Sequence, residues 1–106
     1  MRVLLDECLP GRLKHELAGH EVYTVPEMGW AGIENGDLLR LAAPQFDVFL
    51  AVDKSLHHQQ NIGAVSIGVG TLRARKNDLQ ALLPLMPTVR NVLLEVTPGG
   101  VVAVGD

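Results

Sequence analysis

The chain has 106 residues, 47% of them hydrophobic and 20% charged, which is the composition of an ordinary folded domain and excludes a disordered chain. No apolar run is long enough for a membrane helix, and the start of the chain lacks the apolar core of a signal peptide. The formal net charge of −3 argues against broad wrapping of nucleic acid. We therefore expect one cytoplasmic domain over residues 1–106, with no membrane segment.

The first third of the sequence predicts a strand, a helix and a second strand. Arg2 to Leu5 is a short aliphatic run, typical of a buried strand. Pro10 suits the first turn of a helix, and Leu13 and Leu17 give that helix an i, i+4 apolar face. Glu21 to Val25 is rich in β-branched and aromatic residues and predicts the second strand.

A glycine-containing loop from Pro26 to Glu34 leads into a predicted helix that begins at about Asn35 and ends at Ala43. Asn35 is a plausible N-cap, and Asp37 lies in the first turn, where a negative charge meets the helix dipole favourably. Phe46 to Val52 predicts a third, buried strand that is followed by an acid, Asp53.

The second half of the chain continues the alternation of strands and helices. Its expected elements are a short helix or turn at Leu56 to Asn61, a strand at Ala64 to Val69, a helix from Asn77 to Leu94 interrupted at Pro84 and Pro87, and a strand at Val101 to Val104. Aliphatic strands alternating with helices predict an α/β fold with a mostly parallel sheet covered on both faces.

Acids follow two of the predicted strands: Asp6 with Glu7 after the first, and Asp53 after the third. Sites in parallel sheets form outside the carboxyl ends of the strands, so these carboxylates are expected at one edge, where Asp37 or Glu34 could join them. Clustered carboxylates repel one another unless one is protonated or a cation binds between them. The plainer interpretation is that these acids are solvated residues at the ends of the strands.

Magnesium or manganese is the cation that such a pocket fits best. Both ions take oxygen ligands, and Mg²⁺ needs few protein carboxylates when phosphate completes its shell. A bound metal that polarises phosphate and activates water is suited to phosphodiester hydrolysis.

Four segments, in this order, resemble the PIN-like domain family of small bacterial and archaeal proteins, which are related to the toxin ribonucleases of toxin–antitoxin pairs. The segments are LLDECLP at Leu4 to Pro10, GHEV at Gly19 to Val22, EMGWAGIENGDLLRLA at Glu27 to Ala42, and FDVFLAVDKSL at Phe46 to Leu56. The resemblance covers about the first 60 residues. It implies a three-layer α/β/α PIN-like fold and a metal-dependent ribonuclease site.

The same resemblance assigns roles to individual residues. It implies that Asp6 and Asp53 are the first and second metal-ligating acids. Many relatives have an aspartate at the position of Asn35, so Asp37 or Glu34 would complete the site here. Many also have an acid where this chain has Ser55, and both departures thin the expected metal shell.

Side chains near the predicted site are candidates for binding an RNA substrate, although solvated surface charge is the ordinary interpretation of the basic ones. The predicted set is Glu7, Asn35, Lys54, Ser55, Arg73 and Arg75. Cys8, the only cysteine, excludes an intramolecular disulfide and is interpreted as a packing residue.

Three functional hypotheses remain open from the sequence. The first is an Mg²⁺- or Mn²⁺-dependent ribonuclease, such as a toxin with an antitoxin partner. The second is a catalytically degenerate PIN-like protein that binds a partner, with the apolar helix from Leu79 to Leu94 as a possible homodimer surface. The third is a phospho-receiver module, for which Thr71 is suitable but the expected lysine is missing from Val104-Gly105-Asp106.

Overall fold

The computed structural model describes residues 1–52, 66–76 and 78–105. Within them, five strands form one sheet in the order β2-β1-β3-β4-β5, and every neighbouring pair is parallel. This agrees with the α/β class expected from the sequence. The strands are β1 (Arg2–Leu5), β2 (Glu21–Thr24), β3 (Val48–Val52), β4 (Gly68–Arg73) and β5 (Val101–Gly105).

The described helices are short, and several are of the 3₁₀ type. The α-helices are α1 (Asn35–Ala42), α2 (Leu79–Leu82) and α3 (Met86–Val92), and the 3₁₀ helices are Gly11–Glu16, Pro26–Met28 and Leu83–Leu85. Proline stands in the first turn of both Leu83–Leu85 and α3, where its missing N–H costs nothing. Asp78 caps α2, because its carboxylate accepts a hydrogen bond from the Ala81 N–H at 2.9 Å. The predicted segment Leu56 to Asn61 and residue Asn77 lie outside the described residues.

Each face of the sheet carries its own apolar cluster. On the face that we call the α3 face, Val3 and Leu5 pack with Leu82, Met86 and other residues of the α2–α3 segment. On the opposite face, called the α1 face, Leu4 and Phe49 pack with residues of α1. Alternate residues of β1 and β3 therefore face opposite clusters, which explains why Val3 to Leu5 and all five residues of β3 are apolar.

Two of the crossover connections have opposite hands. From β1 the chain moves toward the β2 edge through the 3₁₀ helix Gly11–Glu16, whose Leu13 packs on the α3 face. From β4 it moves toward the opposite edge, to β5, through α2 and α3 on that same face. Two crossovers that lie on the same face of a parallel sheet but run in opposite directions must have opposite hands. One of these crossovers is therefore left-handed, which is rare in parallel sheets.

The position of β4 differs from the sequence prediction. The strand was expected at Ala64 to Val69 but lies at Gly68–Arg73, and residues 64 and 65 lie outside the described residues. A Cβ on Gly68 would approach the Val96 side chain to 2.8 Å, and one on Gly70 would approach Leu50 to 2.6 Å. A side chain at either position would therefore displace a neighbouring side chain that lies close to the strand backbone.

The apolar stripe of α2 and α3 is used within the chain. Leu82, Met86, Val89 and Leu93 are all buried in the α3-face cluster, so they offer no external dimer surface. Across the described ranges, none of the helices has the length and apolar character to cross a membrane.

Candidate functional site

The strand order places a topological switch point between β1 and β3. The chain leaves β1 toward one edge of the sheet and returns across it to β3, so the direction of winding changes between these two neighbours. In open parallel sheets, ligand sites form at such a switch point, outside the carboxyl ends of the strands. Asp6 is the first residue after β1 and therefore stands at this point.

Asp6 is 3% exposed, which makes it one of the few buried polar residues in the described chain. Its backbone N–H donates to the Leu50 carbonyl of β3 at 2.9 Å, and its own carbonyl accepts from the Leu9 N–H at 3.0 Å. These two bonds tie the residue to β3 and turn the chain away from the sheet. The position of the Asp6 backbone is thus fixed by the strand pairing itself.

The Asp6 side chain is hydrogen-bonded by the turn that follows it. Its carboxylate accepts from the backbone N–H groups of Glu7 and Cys8 and from the Cys8 thiol. Burial nevertheless raises the pKa of Asp6 above its ordinary value of 3.8, and the nearby Glu7 carboxylate adds a small increase, while the three hydrogen bonds lower it. The charge of Asp6 is therefore only partly compensated by its surroundings, which is a condition that a bound cation would relieve.

Cys8 has a different place from the one that the sequence suggested. It is exposed rather than packed in the core, so its interpretation as a packing residue is wrong. The thiol contacts the buried carboxylate because aspartate at a strand end readily forms a turn with the residue two positions later. That spacing is the signal in the sequence that could have identified Cys8 as a neighbour of the site.

Glu7 connects two loops at the same edge of the sheet. Its carboxylate oxygens accept from the Gly32 N–H at 3.3 and 3.4 Å, and Gly32 has a φ of +84°. The loop between β2 and α1 is thereby held against the end of β1. Glu7 was predicted to bind substrate, and in the structure it is exposed with this backbone partner.

The two acids expected near the start of α1 are exposed. Asp37 accepts from the Arg40 guanidinium at 2.7 Å, and this pair lies on the outer surface of the helix. Glu34 occupies the N-cap position of α1, but its side chain makes no capping hydrogen bond. Asn35 opens α1, and its side chain lies outside what the structure describes.

The remaining predicted residues belong to the neighbouring strands. Asp53, Lys54 and Ser55 lie outside the described residues, although Val52, which precedes them, ends β3. Arg73 is the last residue of β4 and follows Leu72, the register partner of Val52. Arg73 and Arg75 are both exposed and follow the carboxyl end of β4. The basic loop and Asp6 are therefore at the same edge of the sheet.

Carboxylates do not converge in the part of the chain that the structure describes. Residues 1–52, 66–76 and 78–105 contain no group of three or more His, Cys, Asp or Glu side chains that could hold a metal ion. Asp6 is thus the one predicted metal-ligating acid that the structure describes as buried.

The chain matches no protein-family model, no curated protein and no solved structure.

Proposed function

We propose that this chain is a PIN-like, three-layer α/β/α domain that hydrolyses RNA at a carboxylate-bound Mg²⁺ or Mn²⁺ ion. The observation that carries the proposal is the buried, partly compensated carboxylate of Asp6 at the switch point between β1 and β3. Sequence places a second acid, Asp53, directly after β3, the strand that hydrogen-bonds to Asp6. Resemblance of the first 60 residues to the PIN-like family supports the same assignment.

The donor chemistry suits a hard divalent cation. Asp6 supplies carboxylate oxygen, the ligand type preferred by magnesium and manganese, and Asp53 would supply a second carboxylate. When bound, the ion would polarise a phosphate oxygen and lower the pKa of a coordinated water. Burial of Asp6 would exclude bulk water from one side of the ion and strengthen its electrostatic effect.

The basic loop after β4 fits the substrate side of this proposal. Arg73 and Arg75 are exposed at the carboxyl edge of the sheet, where guanidinium groups would contact the phosphates of an RNA strand. Lys54 and Ser55, next to Asp53 in sequence, would bind the same RNA substrate. An antitoxin-type partner would regulate this site by covering the same edge.

One observation favours a second candidate, a PIN-like protein that acts by binding a partner without catalysis. Asp37, which the resemblance offers as a substitute ligand, is exposed and paired with Arg40. If neither Asp37 nor Glu34 completes the shell, two carboxylates remain for the metal. The phospho-receiver hypothesis has less support. If all crossovers of the parallel sheet had the same hand, as a doubly wound receiver fold requires, α2 and α3 would lie on the α1 face. They pack instead on the opposite face of the sheet.

The test is metal binding by calorimetry, followed by cleavage of a mixed RNA substrate with Mn²⁺ or Mg²⁺. Asp6→Asn and Asp53→Asn should each weaken metal binding and lower cleavage by roughly a hundredfold or more. Asp47→Asn is the matched control, because Asp47 precedes β3 at the amino edge of the sheet and accepts from the Arg2 N–H at 2.7 Å. This control should keep full activity.

The outcomes separate the two candidates. Metal-dependent cleavage that is lost in both site variants and kept in Asp47→Asn would support the ribonuclease. Wild-type protein that binds neither metal would sink the ribonuclease proposal and leave the partner-binding candidate. A folded Asp6→Asn protein that cleaves RNA as fast as wild type would do the same.

A further inference from the structure

The outer edge of β5 carries backbone groups that no described strand satisfies. The Val69 N–H donates to the Gly100 carbonyl at 2.9 Å, and Val69 is the register partner of Val101. In a parallel pair, this pattern turns the backbone groups of Val102 and Val104 toward β4. The N–H and C=O groups of Val101 and Ala103 therefore point away from the sheet, and the strand ends at Gly105, whose φ of +103° is not extended.

The opposite edge of the sheet is closed by a side chain. On β2, the Glu21 and Val25 N–H groups donate to β1, so Thr24 is turned outward. The Glu27 carboxylate accepts from the Thr24 N–H at 2.9 Å, and Lys14 holds that carboxylate in place at 2.9 and 3.0 Å. A charged side chain thus occupies the β2 edge, as is usual where an edge strand must be kept from pairing.

Among the described residues, none protects the β5 edge in this way. Its sequence, VVAVG, contains no charged residue and no proline. Val101 is 52% exposed and Ala103 is also exposed, both on the α1 face, whereas Val104 is buried on the α3 face. An uncharged, β-branched edge strand with exposed apolar side chains is prepared to accept another strand.

We propose that a second copy of this chain pairs with β5, strand against antiparallel strand, around a twofold axis at Ala103. The strand is self-complementary in this register. Ala103 faces Ala103 of the second copy, Val102 faces Val104, and Val101 faces Gly105, which has no side chain to obstruct it. The outward N–H and C=O groups of Ala103 then each have a partner group on Ala103 of the second copy.

A second copy fits this edge better than a charged peptide because β5 itself carries no side chain that could pair with a charge. The twofold arrangement closes on itself and gives a dimer with one continuous sheet across both copies. It also leaves the carboxyl edges of both copies open, so it does not depend on the proposed ribonuclease site. The dimer and the nuclease can therefore fail independently.

The test uses charge at position 103. In the proposed register, Ala103→Lys places two lysines opposite each other at the twofold axis, and Ala103→Glu places two glutamates there. Like charges directly opposite across strands are destabilising and opposite charges are stabilising. The dimer dissociation constant of each variant alone should be about fivefold or more higher than that of wild type. An equimolar mixture of the two variants should form a mixed dimer.

Sedimentation velocity over a range of micromolar concentrations gives the measurement, with circular dichroism to show that each variant is folded. Leu94→Lys is the control, because Leu94 is 76% exposed but lies after α3 and not on β5. Wild type and this control should both be dimers. A monomeric wild type would overturn the proposal, as would charged variants that dimerise as well as wild type or a mixture that fails to recover the dimer.

Discussion

Replacing Asp6 by asparagine removes a buried negative charge but keeps the size of the side chain and one accepting oxygen. The carboxylate accepts three hydrogen bonds, from the Glu7 N–H, the Cys8 N–H and the Cys8 thiol. An asparagine oxygen can accept two of them, so the substitution loses about 1 kcal/mol of hydrogen bonding and removes the opposing cost of burying a charge. We expect the free energy of unfolding at neutral pH to change by less than about 1 kcal/mol.

Alanine at the same position should behave differently. Asp6→Ala removes the acceptor of all three hydrogen bonds and gains the same relief from charge burial, so its free energy of unfolding should be about 2 kcal/mol lower than that of Asp6→Asn, at about 1 kcal/mol for each of the two further hydrogen bonds lost. The contrast between the two variants is what tests the reasoning, because both remove the same charge. It also decides which variant is a sound control for activity measurements.

The pH dependence of stability gives a second readout of the same residue. Because burial raises the pKa of Asp6 above 3.8, the folded protein binds more protons than the unfolded chain between 3.8 and the raised pKa. Wild type should therefore lose the contribution of Asp6 to stability as pH rises through that window. The stability of Asp6→Asn relative to wild type should rise with pH across the window and stay level above it.

Urea unfolding followed by tryptophan fluorescence is the assay. Trp30 is the only tryptophan, and its ring packs edge-on against Phe46 with the centroids 6.2 Å apart, so its emission should report loss of the α1-face cluster. An asparagine variant as unstable as the alanine variant would contradict the hydrogen-bond argument. A relative stability that falls with pH would contradict the raised pKa.

Two further stability predictions concern the edges of the sheet. The Lys14 ammonium and the Thr24 N–H lower the pKa of Glu27 below 4.5, so the stabilisation by Glu27 is present above that pH and is lost in acid. Glu27→Gln should therefore lower the free energy of unfolding by about 0.5–1 kcal/mol in urea at neutral pH and leave it unchanged in acid. A loss that is independent of pH would refute this. Gly105 has a φ of +103° and a Cβ there would overlap the Arg73 carbonyl, so Gly105→Ala should cost about 2 kcal/mol or more by thermal unfolding. Gly19→Ala, at a φ of +89° in open space, should cost less, and equal costs would contradict the overlap.

The sequence predicts well those strands whose boundaries are marked by local chemistry. Arg2–Leu5 has its predicted bounds, because the aliphatic run stops at two acids and a proline follows soon after. The predicted strand Ala64 to Val69 stops before Gly70, a residue type that is depleted in strands, whereas in the fold Gly68 and Gly70 lie inside β4 and leave room for the Val96 and Leu50 side chains. That requirement depends on residues far away in sequence and leaves no local mark.

The site is predictable to a similar extent. The strand-end rule locates Asp6 at the carboxyl edge of the sheet, but the contact of its carboxylate with the Cys8 thiol depends on how the following turn closes. The pairing of Asp37 with Arg40 was available from the sequence, because opposite charges three residues apart on a helix are neighbours. Whether Asp37 could still serve a metal site depends on how exposed that surface of the helix is, and only the fold shows this.

The arrangement of the sheet also determines when its centre can form. Val3 pairs with Val48 and Val69 with Val101, and the described strand pairs contain no hairpin. Such non-local pairing places the chain among slower-folding domains, because a long loop must close before each pair is formed. During synthesis, β1 must remain without its central neighbour until β3 has emerged. The nascent β1 is therefore an exposed, mostly apolar strand, and it is a suitable substrate for chaperones until β3 has been synthesised.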